Sequence, residues 1–373
     1  MKLEEKLKKG FTTGTCAQAA AKAAGIMLAT KTLIKSVEVE TPKGVKLNLK
    51  IVGQKIGRDF AQCGVIKDAG DDPDVTNGAM ICARVRYSGK KGVFLRGGEG
   101  VGVVTKPGLA VSVGEYAINP VPREMIIKDV TRCLSRLRLN RQDRGIEIII
   151  SVPKGKEIAR RTFNPRLGIM GGISIIGTTG IVEPKSQDAY KKSLSLQLDV
   201  LKAAGYKRAA LVPGYVGEKF CRQALGLESD SIIKIGDHIG FMIAECVKKN
   251  IKKVLLAGHI GKLVKVANGQ FDTNIRFGDN RIKTIMHYAG LCGAKKEIIK
   301  KISRQQSAEA AIDILTKHNL TQTFDIMVKK IVSRINEFAG DRLSVGCIML
   351  SLQGKILAVY PNLTNLTRLD LSG

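Results

Sequence analysis

The chain has 373 residues, of which 44% are hydrophobic and 25% charged; this excludes a disordered polypeptide and provides for two domains at roughly 150 residues each. Lys and Arg (61) outnumber Asp and Glu (33) to give +28, so the partner or substrate is expected to be anionic. Nucleic acid is disfavoured: there is no Trp, aromatics are only 5%, and no helix-turn-helix, zinc-finger or RNA-motif pattern occurs, leaving no base-stacking platform.

The charged N-terminus, MKLEEKLKKG, lacks the apolar stretch of a signal peptide, and no apolar run approaches the ~20 residues of a membrane span. A cytoplasmic protein without membrane contact is expected. The segment GFTTGTCAQAAAKAAGIML (10–28) then reads as a helix of small residues behind a Thr-rich entrance. Gly10, Thr12, Thr13, Gly14 and Thr15 form that entrance, where hydroxyls and free N–H groups either cap the helix or bind a carboxylate, and Cys16 begins the small-residue helical face. Val37 and Val39, then TPKG, then Val45, Leu47, Leu49 and Ile51 predict a hairpin.

KDAGDDPDVTNG (67–78) gathers Asp68, Asp71, Asp72 and Asp74 in an otherwise basic chain. It reads either as Asx turns around Pro73 or as a carboxylate cluster with an acid–base role, since clustered carboxylates raise one another's pKa. Ala79, Ile81, Ala83, Val85 and Tyr87 alternate as a strand, and the Gly- and Pro-rich segment 96–122 reads as loops around short strands. A helix is expected at 123–140 and a strand at 146–152. Arg132, Arg136, Arg138, Arg141, Arg144 and Arg166 read singly as solvated residues, and as a set they suit several carboxylates on a small molecule.

From about residue 166 apolar strands alternate with helices: 172–177, a helix over 186–204, 209–213, a short helix, 231–235, a helix over 238–249, and 253–258. Helices at 304–318 and 323–338 and a hairpin over 345–360 follow. The expectation is α+β for residues 1–165, then a parallel, doubly wound α/β sheet in 166–373. Ligands of such sheets sit outside the C-terminal strand ends, where the chain places GTTG (177–180), PGYVG (213–217), GDHIG (236–240) and GHIGK (258–262). Gly177, Thr178, Thr179, Gly180, Gly214, Gly217, Gly258, His259, Gly261 and Lys262 are therefore the candidate cofactor-binding residues. His259 reads equally as a contact or as a structural histidine. GHIGKL lacks the spacer of a P-loop, and GEGVGVV lacks the third glycine of a dinucleotide fingerprint.

The eight cysteines (Cys16, Cys63, Cys82, Cys133, Cys221, Cys246, Cys292, Cys347) include no CxxC pair, which reads as reduced, buried thiols. The four histidines have no metal-ligand spacing, so no metal site of the protein's own is expected.

GFTTGTCAQAAAKAA, KDAGDDPDVTNGA, VTKPGLAVSVGEYAINPVPREMI, RTFNPRLGIMGGISIIGTTGIVEP and LLAGHIGKLVKVANGQFDT together resemble the CbiD family of anaerobic cobalamin biosynthesis. The blocks run in family order from residue 10 to about 275. The resemblance implies an S-adenosylmethionine-dependent enzyme that methylates carbon C-1 of an anionic, ring-contracted cobalt tetrapyrrole. It also implies a Rossmann-like second domain, and cobalt that arrives only within the substrate. The family pattern has His where this chain has Asn77, Asn at Tyr215 and His near Asn274. On this reading Thr12, Thr13, Gly14, Thr15, Cys16, Asp68 and Arg166 face the substrate, and Asp71 and Asp72 are the acid–base candidates. Homo-oligomers or transient contacts with neighbouring pathway enzymes are compatible with it. The readings left beside it are a basic nucleic-acid-binding protein and an enzyme for another adenine nucleotide.

Overall fold

The computed structural model describes residues 7–136, 145–184 and 186–362. Two compact units divide the chain, Met1–Gln187 and Asp188–Gly373; residues 166–187 thus lie with the first.

In the first unit, β1 (Gly10–Phe11) leads into α1 (Thr13–Thr30), which is capped by Thr12, whose hydroxyl accepts the Thr15 N–H. The alanine face of α1 is buried from Cys16 to Leu28. Short side chains let the helix backbone settle directly on a sheet. The hairpin β2 (Ser36–Glu40) and β3 (Lys46–Lys50) pairs Val37 with Leu49 and Val39 with Leu47, across the turn that TPKG predicts. β4 (Val52–Ile56), β5 (Phe60–Ile66), β6 (Met80–Ser88), β7 (Val93–Gly97) and, further along, β9 (Gly145–Ser151) form a five-stranded sheet in the order β4-β5-β6-β9-β7. The alternation read over 79–87 puts Ala79, Ile81, Ala83 and Val85 inside, in one core with α1.

β8 (Val103–Val104) follows in the Gly-rich segment, then α2 (Pro120–Arg136) packs against α1. The expected helix extends to 140, and residues 137–140 with Arg138, Arg141 and Arg144 lie outside the described residues. The short α3 (Gly155–Ala159), β10 (Ile169–Met170) and β11 (Ile181–Val182) complete the unit; β10 pairs with β8 and β11 with β1.

One expected strand is placed differently. Residues 172–177 do not open the parallel sheet: Ile173 and Ile175 bridge singly to Val101 and Ile118. Their burial satisfies the apolar pattern equally well against either unit, because periodicity encodes burial and not the partner strand.

The second unit opens with α4 (Gln187–Ala203), whose Leu194, Leu198 and Leu201 are buried. Then β12 (Arg208–Val212), α5 (Tyr215–Gln223), β13 (Ile232–Lys234), α6 (Ile239–Lys248), β14 (Lys253–His259) and α7 (Ile260–Ala267) alternate. α8 (Arg281–Leu291), α9 (Lys296–Ser303), α10 (Ala308–Lys317) and α11 (Gln322–Ala339) precede the terminal hairpin β15 (Ser344–Leu350) and β16 (Ile356–Tyr360). The sheet order is β13-β12-β14-β15-β16, parallel except for the edge strand β16. Both faces are covered: Ala209 and Leu211 point into one core and Ala210 and Val212 into another. Burial on both faces explains why these strands read as continuous apolar runs.

Candidate functional site

The threonine entrance of α1 is occupied by its own unit. Thr13 Oγ1 donates to the Ser174 and Ile176 carbonyls and accepts from the Ile176 N–H at 2.9 Å. Thr15 Oγ1 donates to Gly180 O at 2.8 Å, while the Thr12 and Gly14 N–H groups reach Gly180 O and Ile176 O. Gly177 has φ +143, and a Cβ there would lie 2.2 Å from Thr12 Oγ1, so glycine is required for the loop to close over the helix end. Two motifs read separately, 12–16 and 177–180, thus form one structure. Gly177, Thr178, Thr179 and Gly180 are not at a strand end of the parallel sheet; Thr178 is exposed and Thr179 Oγ1 binds Ile181 O within its own turn. Cys16 is fully buried, and that burial pushes its thiol up.

In the acidic island the carboxylates of Asp68 and Asp71 both meet Lys8, and that of Asp74 meets Lys67. Asp68 takes the Gly70 N–H and an exposed ion pair with Lys8; its carboxyl is lowered, chiefly by the Lys8 hydrogen bond. Asp71 Oδ2 accepts the Lys8 backbone N–H at 2.6 Å, which ties Lys8 to the island. Asp72 N–H reaches Ala69 O, and Asn77 Oδ1 takes the Ala69 N–H. Asp74 is the inward member: its Oδ2 lies 2.7 Å from the Lys67 ammonium, whose side chain is 1% exposed. Arg166 is exposed in the turn after Asn164.

In the second unit the chain turns outward from β12 to β13 on one side and crosses back to β14 on the other. The order in which strands are added therefore reverses between the parallel neighbours β12 and β14, the position at which open α/β sheets hold ligands. Lys262, on α7, bridges the strand ends there, with Nζ 2.9 Å from Pro213 O and 3.1 Å from Asp237 Oδ1. Asp237 also accepts Thr273 Oγ1 at 3.0 Å. Burial works to raise its carboxyl, but Lys262 and Thr273 outweigh this and hold it below the ordinary range.

The glycines of these turns divide by role. A Cβ at Gly214 would meet nothing within 4 Å, whereas one at Gly217 would lie 2.1 Å from Ala257 O and one at Gly258 3.1 Å from Pro213 Cδ. Gly214 leaves backbone approachable, while Gly217 and Gly258 let α5 and β14 pack. His259 caps α7, its Nδ1 accepting from Gly261 N, and its Nε2 is 2.8 Å from Glu309. With Nδ1 an acceptor, the ring proton is on Nε2 and donates to Glu309. Both nitrogens are thereby engaged, which is the structural-histidine alternative.

Family models described as "CbiD" and "CbiD, C-terminal domain" match residues 1–184 and 272–361. A protein from Thermoanaerobacter sp. (strain X514) named cobalt-precorrin-5B C(1)-methyltransferase is 43% identical over 95% of each chain. One of the same name from Methanocaldococcus jannaschii is 42% identical over 95% of this chain and 97% of its own. This chain belongs to the CbiD family. A solved structure titled cobalamin biosynthesis protein (cbiD) from Archaeoglobus fulgidus is 30% identical, spans 72% of this chain and 82% of that one, and superposes with a TM-score of 0.39.

Within this CbiD chain, the strand ends of the second unit carry polar groups that the glycine turns alone did not single out in the sequence. Asp237, His238 and Asp272 converge at the end of β13, joined by an isolated His238–Asp272 bridge. The available signal was GDHIG itself, where Asp and His are the only polar side chains in a glycine turn. The Lys67–Asp74 pair gave no such signal, because a buried lysine is indistinguishable from a solvated one in sequence. Tyr215, 63% exposed, begins α5 beside Gly214, and Asn274 reaches Asp237 Oδ2 at 3.4 Å.

Proposed function

We propose that this protein is a cobalt-precorrin-5B C(1)-methyltransferase, which methylates C-1 of cobalt-precorrin-5B to give cobalt-precorrin-6A with S-adenosylmethionine as methyl donor. Full-length identity to relatives of that name carries the reading. The +28 charge suits a substrate bearing several acetate and propionate groups, and cobalt enters as part of that substrate.

The methyl donor is assigned to the crevice between β12 and β14. The fit rests on three features: open backbone at Gly214, a half-buried carboxylate at Asp237 and an ammonium at Lys262. Asp237 follows the glycine turn of its neighbouring strand as the ribose-binding acid does in dinucleotide sites, and its charge suits a sulfonium. Lys262 suits the donor's carboxylate. When bound, the donor supplies an electrophilic methyl group on positively charged sulfur. The protein's part is to align the substrate carbon with it and keep water out.

In the first unit, the 177–180 loop seated on the α1 entrance serves as a wall for the tetrapyrrole, with Thr12 and Thr178 towards its surface and the buried Thr13, Gly14, Thr15 and Cys16 shaping it from within. Asp68 and Arg166 offer polar contacts at its surface, and Asp71 and Asp72 are its exposed and half-buried acid–base candidates. Eight cysteines outside any disulfide suit the reducing cytoplasm, and among the described residues no helix is long and apolar enough to cross a membrane. The test is incubation with cobalt-precorrin-5B and isotopically labelled methyl donor, followed by mass spectrometry. A labelled product one methyl group heavier is expected; unchanged tetrapyrrole with an intact protein overturns the reading.

A further inference from the structure

The turn between β13 and α6 carries a histidine whose placement no hydrogen bond explains. His238 stands at the N-cap of α6 without making a cap bond. Its side chain is 12% exposed, and Nδ1 is buried with no hydrogen-bond partner among the described residues. The ring leans on Tyr190 of α4, with centroids 5.4 Å apart. Asp272 Oδ2 stands 3.9 Å from Nδ1, beyond hydrogen-bonding reach but close enough for a charge to be felt.

That carboxylate is held in place by backbone. Thr273 N–H donates to Asp237 O at 3.0 Å and Gly240 N–H to Phe271 O at 3.1 Å, so residues either side of Asp272 are stitched to the histidine turn. The buried Lys265 ammonium donates to Thr273 O and Gly278 O and fixes the returning loop. A histidine backed by a carboxylate through one ring nitrogen is the arrangement that prepares the other nitrogen to accept a proton.

We propose that His238 is a catalytic base that takes up the proton released on methylation, with Asp272 as its positioning residue. This rests on the reading that the methyl donor binds at the C-terminal ends of the parallel strands. In-line displacement brings the nucleophilic carbon to within about 3–3.5 Å of the methyl group, so the carbon must come to the crevice that His238 borders. As the carbon–methyl bond forms, the methyl–sulfur bond breaks and its electron pair stays on sulfur, which becomes a neutral thioether. The macrocycle loses one proton, keeps the electron pair of that bond, and the proton goes to His238 Nε2. The Asp272 charge, 3.9 Å from Nδ1, favours the ring proton on that nitrogen and so puts the basic lone pair on Nε2; it then faces the imidazolium. Burial, followed by the Lys191 and Arg276 charges, holds the imidazole below its ordinary pKa against the opposing pull of Asp272 and Asp237, so the ring is neutral and receptive at neutral pH.

The four histidines make the full-length protein suited to side-chain NMR after selective histidine labelling, with His238→Gln identifying the signal. S-adenosylhomocysteine is expected to shift the His238 signal and leave that of His318 in place; binding without a His238 shift overturns the crevice reading itself. With that shift present, His238→Gln should bind S-adenosylhomocysteine within about 2-fold of the parent and lose 10²–10⁴-fold in kcat, in the range of general-base losses, together with the acid limb of its pH profile. A kcat within 3-fold of the parent, or a retained acid limb, overturns the base and leaves the crevice standing. Should His238→Gln not fold, Asp272→Asn decides: it should lower the His238 titration midpoint and move the acid limb to lower pH by the same amount. A His238 that titrates without moving that limb, or that is doubly protonated at the pH of maximal activity, excludes it as the base.

Discussion

Lys67 and Asp74 form an ion pair whose ammonium is sealed from solvent while its carboxylate reaches the surface, with Nζ and Oδ2 2.7 Å apart and side-chain exposures of 1% and 26%. The pair lies where the acidic island meets β6, and the Thr76 N–H and hydroxyl complete the carboxylate's partners. Removing Asp74 strands a buried positive charge, which typically costs on the order of 3 kcal/mol. Asp74→Ala should therefore lower the urea midpoint sharply, and Lys67→Met in the same chain should recover much of the loss. Equal effects of the single and double variants would show that the two do not interact.

The same pair sets an acid limit. Burial tends to raise the Asp74 carboxyl, but Lys67 and Thr76 hold it below the usual range. A depressed folded pKa contributes stability that is complete above the unfolded value near ~4 and lost as pH falls through the folded value. The urea midpoint of the parent should fall between about pH 5 and about pH 3 more steeply than that of the Lys67→Met, Asp74→Ala double variant. Parallel pH profiles would remove Asp74 from the acid response.

Gly214 and Gly217, three positions apart, should answer differently to one methyl group. At Gly217 a Cβ would meet Ala257 O at 2.1 Å, while at Gly214, with φ −169, it would meet nothing within 4 Å. Gly217→Ala should displace α5 and cost about 1–3 kcal/mol, as overpacking does. Gly214→Ala should leave the melting temperature close to the parent's and weaken S-adenosylhomocysteine binding measured by calorimetry. Unchanged affinity in Gly214→Ala would place the ligand away from this turn.

This contrast marks how far the sequence could be read. PGYVG announced a glycine turn, but which glycine serves packing and which faces outward depends on how near Ala257 comes. The alternation of strands and helices from 208 to 259 was legible because two-faced burial makes each parallel strand uniformly apolar. Residues 172–177 have the same appearance and belong elsewhere, since apolar content does not name a partner. Of the four turns read as strand ends, those at 213–217, 236–240 and 258–262 follow parallel strands and 177–180 does not, whereas the meeting of Asp237 with Thr273 spans 36 residues and exists only once the chain after α7 folds back. Thr13 and Thr15 were read as a cap or an anion site; their burial against carbonyls of 174–180 depends on a segment some 160 positions away.

Asp237→Asn separates charge from shape. The amide oxygen still accepts from Thr273, so the loop stays seated, but the charge facing Lys262, which we propose also meets the donor's ribose, is gone. Hydrogen bonds to charged groups contribute about 1.5–3 kcal/mol, so S-adenosylhomocysteine affinity should drop by at least about tenfold with little change in melting temperature. Affinity within 2-fold of the parent would remove Asp237 from the site.

The cysteines provide a test of the fold that needs no ligand. None of the eight is in a disulfide, and Cys133 and Cys292 are the two that are not buried. Burial pushes the Cys63, Cys221 and Cys246 thiols up to about 12 and raises Cys16 and Cys347 further. The thiolate is the reactive species, and at about pH 8 a thiol of pKa about 12 is ionised only about one part in ten thousand. An aromatic disulfide reagent should therefore titrate two thiols rapidly in native buffer and all eight in denaturant. The six slow thiols should react at a rate set by unfolding, rising with urea in step with the loss of secondary structure. Rapid native labelling of Cys16 would show that the α1 entrance opens far more readily than its hydrogen bonds to 174–180 allow.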